Sequence, residues 1–120
     1  MSPDNFTKSV IALACWRPAQ NELHSVMLAV CQVYMNQADA GWFKGNVYEC
    51  ANHWLMENPG EFPDEREPQF QQLLAKIDNV LAGLIPDKTG GAIYFARKSD
   101  VAERIEATIT MSMGSMIFLR

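Results

Sequence analysis

Residues 81–95 read LAGLIPDKTGGAIYF, and across them the hydrophobic pattern changes its period. Upstream, Phe70, Leu73, Leu74, Ile77 and Leu81 recur at three- and four-residue steps, which predicts a helix from Pro68 to about Ala82 with Gly83 as its stop. Downstream, AIYF at 92–95 is a short apolar run of the kind that forms a strand. Between them, Gly90-Gly91 permits a tight turn, and Asp87 and Thr89 carry oxygens that can bond local backbone donors. The stretch neither follows a strand nor opens a helix, so it is not a dinucleotide-binding loop.

Towards the N-terminus everything is helical. Ser2-Pro3-Asp4 supplies a cap, a first-turn proline and an acid at the positive end of the dipole. Phe6, Val10, Leu13 and Ala14 then define a helix from Pro3 to Trp16, which Pro18 ends because its ring disfavours the helical conformation at Arg17. Asn21 is the expected cap of a second helix that runs to Ala40, where Gly41 terminates it. A short third helix is expected from Val47 to Trp54, started by Asn46, and residues 57–68, rich in proline and acids, read as a surface loop. Towards the C-terminus, residues 105–111 (IEATITM) and 116–119 (MIFL) read as two more strands, with Met113-Gly114 as the turn. The expected architecture is one α+β domain over residues 1–120: about four helices followed by a small antiparallel sheet near the C-terminus.

Bulk properties narrow the function. With 120 residues, 48% apolar and 20% charged, the chain is long enough for one real core and too apolar for disorder. Its net charge of −4 is uneven: residues 1–83 carry five Lys and Arg against ten Asp and Glu, residues 84–120 five against four. An acidic body lacks the basic footprint that nucleic acid or an anionic membrane requires. VIALAC near the start is too short for a secretory or lipoprotein signal, and Asp4 offsets Lys8, so no positively charged region precedes it. No apolar run approaches a membrane span. Cys15, Cys31 and Cys50 form no CxxC pair and read as buried free thiols, with no metal site or cofactor indicated.

Few residues offer chemistry. His24 and His53 are the only histidines, and no serine or cysteine sits in a nucleophile motif. Among the acids, Glu22 stands at a helix start, and Glu57 and Glu61 lie in the loop. Glycoside hydrolysis needs a carboxylic acid kept protonated beside an apolar wall, and Trp16, Trp42 and Trp54 can form such walls or stack on sugars. The plainer alternatives are that Glu22 serves the helix dipole and that the tryptophans are core.

LAGLIPDKTGGAIYF resembles the SleB/CwlJ-type cell wall hydrolases, which carry a helix ending in Ala-Gly and then Pro-Asp-x-Thr-Gly-Gly-Ala-x-Tyr-Phe. LAVCQVYMN at 28–36 is similar to the family's long apolar helix, with Met35-Asn36-Gln37 at its Leu-Asn-Arg turn. Pro59-Gly60-Glu61-Phe62 is similar to a Pro-Gly-Gln-Phe loop, and GSMIFLR to the final strand, Gly-x-His-x-Phe-Tyr. The likeness spans residues 9–120, with the segment 84–95 its specific part.

The resemblance implies a lysozyme-like domain acting on peptidoglycan glycan strands. The family's catalytic motif, Glu-Ala-Arg-Gly-Glu, falls on Pro18-Ala19-Gln20-Asn21-Glu22, so proline replaces the catalytic glutamate and Glu22 is the acid that remains. Met116 stands where the final strand has histidine. The resemblance therefore implies a degenerate, non-catalytic member that binds glycan strands or a protein partner in a phage or envelope setting. Its alternative is an active hydrolase or lytic transglycosylase using Glu22 or Glu61 as general acid. Trp16, Asn36, Phe62, Thr89 and Tyr94 are the expected substrate-binding residues. A third possibility is an unrelated small-molecule site in the same fold.

Overall fold

The computed structural model describes residues 5–64, 66–100 and 108–120. Four α-helices come first: α1 (Asn5–Trp16), α2 (His24–Asp39), α3 (Val47–Glu57) and α4 (Pro68–Leu81). Three strands follow: β1 (Tyr94–Arg97), β2 (Ile109–Met113) and β3 (Met116–Leu119). The α+β arrangement expected from the change of period at 81–95 is the one the chain adopts.

The helices pack by their apolar stripes. α1 lies against α2, α3 and α4. Ile11, Val30, Val33, Leu73 and Ile77 meet in the core, each burial contributing about 1.5–3 kcal/mol of hydrophobic stabilisation. Tyr34 is buried with them and its hydroxyl donates to the Ala14 carbonyl at 2.6 Å, so its one polar atom is satisfied. All three cysteines are free and buried. Burial, together with a hydrogen bond to Cys31, pushes the Cys15 thiol well above its ordinary range, which makes it unreactive.

The sheet order is β1-β3-β2, with both pairings antiparallel. β3 is therefore central, and all four of its residues are buried, as the unbroken apolar run MIFL requires. Gly114 and Ser115 form the turn between β2 and β3, one residue later than expected, with Gly114 at φ +57°.

Several boundaries differ from expectation for identifiable reasons. α2 begins at His24 after Leu23, which offers no side-chain cap, so Asn21 is not its cap. Asn21 adopts φ +70°, a left-handed conformation that asparagine tolerates, and the corner 17–22 turns through bonds from the Arg17 amide to Leu13 and from the Glu22 amide to Ala19. α3 keeps the expected start, where the Asn46 side chain accepts from the Glu49 amide, and runs three residues further, to Glu57. β1 starts at Tyr94 rather than at residue 92. The carbonyls of Ala92 and Ile93 are taken by the side chains of Asn36 and Gln37 on α2, each at 2.9 Å, so they do not enter the sheet ladder. β2 extends to Met113; residues 105–107 of the expected strand, and the Ser2-Pro3-Asp4 helix start, lie outside the described residues.

Candidate functional site

The corner between α1 and α2 carries the residues to which the motif comparison points. Pro18 is buried on it, just past the end of α1. Glu22 turns towards the β2–β3 hairpin, where its Oε1 accepts from the Ser115 amide at 2.9 Å and from the Ser115 hydroxyl. Those two bonds hold its carboxyl below the ordinary glutamate range against the opposing desolvation, and the nearby charges of Arg97 and Lys98 add lesser help. The φ of +57° at Gly114 favours glycine, and a Cβ there, 2.3 Å from Glu22 Oε2, would push the carboxylate aside. Glu22 therefore works as an ionised latch between corner and hairpin. A general acid needs the opposite shift.

Beside the corner opens a cleft of about 450 Å³. One wall is Arg17 and Pro18, the second is Trp54 and Asn58 at the end of α3, and the third is Phe95 and Arg97 on β1, with Asp100 and Met116 at its margin. The Arg17 guanidinium lies over the Trp54 ring, 5.7 Å from its centroid. Trp54 also meets Phe95 at 5.9 Å, so much of its surface is already covered by protein. Arg97 donates from Nη2 to the Gln20 carbonyl at 3.0 Å and from Nη1 to the Ser115 hydroxyl at 3.4 Å. Among the described residues, Asp100 is the one carboxylate on the wall, against two guanidinium groups.

The expected binding residues do not converge on this cleft. Trp16 is only 8% exposed and meets Phe70 in a T-shaped contact at 5.7 Å; with Glu22 it borders a separate cavity of about 410 Å³. Glu61 and Phe62 are exposed on the loop past Gly60 and do not border the cleft. Tyr94 is exposed at the start of β1 and packs edge-on to Trp42.

Asn36 and Thr89 belong to a polar knot that joins α2 to the loop before β1. Asp87 Oδ1 accepts from the Thr89 amide at 2.7 Å and its hydroxyl at 2.6 Å, and Oδ2 accepts from the Gly91 amide at 3.0 Å and from Asn36 Nδ2 at 3.2 Å. The Thr89 hydroxyl oxygen accepts in turn from the Ala92 amide at 3.2 Å. Partial burial pushes the Asp87 carboxyl up, but the bonds from Thr89, Asn36 and Gly91 together outweigh it and hold the group below its ordinary value. The most distinctive string of the sequence is thus a structural turn, with its polar groups consumed in shaping the backbone.

The cleft residues that sequence reasoning missed are Arg17, Asn58, Arg97 and Asp100. Their signals were faint: Arg17 directly precedes the proline of the corner, and Asn58 directly precedes Pro59-Gly60. Among the described residues, no three His, Cys, Asp or Glu side chains cluster as metal ligands, and no helix is long and apolar enough to cross a membrane. Comparison of the chain with protein-family models, curated proteins and solved structures found no match in any of the three.

Proposed function

We propose that this chain is a non-catalytic, cell wall hydrolase-like domain that binds peptidoglycan glycan strands in the cleft beside the α1–α2 corner. The reading joins the resemblance carried by LAGLIPDKTGGAIYF to one structural observation. Pro18 lines the cleft at the position where the resembling family has its catalytic glutamate. Glycosidases of the common type need two carboxyl groups flanking the scissile bond, one of them protonated. This cleft has a single carboxylate on its described wall, and Glu22 is ionised and bonded to Ser115. Binding needs neither acid, since the Asn58 amide and the Arg17 and Arg97 guanidinium groups can bond a sugar's oxygens.

The test is incubation of the purified chain with insoluble peptidoglycan. The expected result is co-sedimentation with no fall in turbidity and no soluble muropeptides. Released muropeptides would establish the hydrolase instead, and the absence of co-sedimentation would remove the glycan as ligand.

A further inference from the structure

We propose that the cleft selects glycans carrying a carboxylate, gripped by Arg17 with Arg97 beside it; this rests on the glycan-binding reading above. Three observations support it. First, Arg17 is held ready for a ligand. Its guanidinium is fixed over Trp54, and among the described residues none of its side-chain N–H groups has a hydrogen-bond partner or an ion pair. An arginine so placed presents a planar donor fork that matches a carboxylate's two oxygens.

Second, the loop runs close beside that fork. A Cβ on Gly60 would stand 2.3 Å from Arg17 Nη2, so a larger residue there would displace the guanidinium from its present place. Third, the local charge opposes the global one. The chain carries −4, whereas among the described residues this wall sets Arg17 and Arg97 against one carboxylate, Asp100. The hydrogen bonds of Arg97 go to a carbonyl and a hydroxyl, and the ionised Glu22 carboxylate lies near it without forming an ion pair. Because Arg17 covers the Trp54 face, a neutral sugar loses the stacking surface that a tryptophan in a cleft would otherwise supply. Recognition falls to the charged donors.

On a glycan strand the carboxylate is either the free lactyl group of a muramic residue or a carboxylate of its attached peptide. Three probes separate these sources from a neutral strand: N-acetylmuramic acid, N-acetylmuramoyl-dipeptide and an uncharged N-acetylglucosamine oligomer. Each is titrated into the chain while the Trp54 indole N–H is followed by NMR. At least one acidic probe is expected to bind about tenfold or more tightly than the neutral oligomer, the scale of a hydrogen-bonded charge. Which acidic probe binds identifies the source.

Arg17→Gln should weaken that binding by about tenfold, and Arg17→Lys, which keeps the charge and loses the fork, should fall between. Gly60→Ala leaves Arg17 intact and displaces its guanidinium, so it should weaken acidic-probe binding even if Arg17→Gln fails to fold. Asp100→Asn should tighten it. Equal affinity for neutral and acidic probes, or co-sedimentation with peptidoglycan that Arg17→Gln and Gly60→Ala leave unchanged, would overturn the carboxylate preference and leave glycan binding standing. Loss of binding to every probe and to peptidoglycan by the unaltered chain would overturn both.

Discussion

Glu22 shows how one carboxylate changes role with its surroundings. In isolation it is an acid at the mouth of a motif; in the folded chain it is the acceptor that fastens the 17–22 corner to the hairpin through Ser115. Its pKa is lowered in the folded state, so its contribution to stability is fully present above the ordinary glutamate pKa of about 4.3 and is lost as pH falls through the lower folded value. Glu22→Gln should therefore lower the melting temperature at pH 7 and narrow the gap between the melting temperatures at pH 7 and pH 3. An unchanged gap would show that the latch carries no pH-dependent stability. The same substitution should leave the proposed peptidoglycan binding unchanged, because Glu22 does not border the cleft.

At the scale of elements, the join between helix and sheet depends on the loop at 86–92. Thr89 is fully buried and connects Asp87, Ala92 and, through its carbonyl, the Thr110 hydroxyl of β2. Thr89→Val keeps the volume and removes the hydroxyl, leaving the Ala92 amide without that acceptor. It should cost about 1–3 kcal/mol, read from urea unfolding, with the loss shared between helix and sheet signals in one transition. A cost near zero would mean that water replaces the hydroxyl. Much of this level was legible in the sequence. Helices α1, α2 and α4 followed from apolar periodicity, α3 from its Asn46 cap, and a strand, though not its central place in the sheet, from MIFL. What could not be read was the start of β1, since the capture of two carbonyls by Asn36 and Gln37 joins positions 56 residues apart. Nor could the start of α2 be read, because Asn21 offers both a cap and a left-handed turn, and the chain takes the turn.

For the whole molecule, the informative experiment is to place an acid at the corner. Pro18→Glu puts a carboxyl on the cleft wall that Arg17 and Arg97 also line. Both guanidinium groups favour its ionised form, so the introduced glutamate is expected to be a weak general acid. No muropeptide release should follow from Pro18→Glu, and appearance of turnover would show that the cleft hydrolyses glycan strands once it holds an acid. Local patterns within the chain determined the α+β order of elements, the helix faces and the glycine turns, because periodicity, capping and positive φ depend on near neighbours. Tertiary structure decided which polar residues are free to act. It used Asn36, Thr89 and Glu22 to hold elements together, and brought Arg17, Trp54 and Arg97 from three elements to one cleft, because burial and long-range hydrogen bonding follow from packing rather than from spacing along the chain.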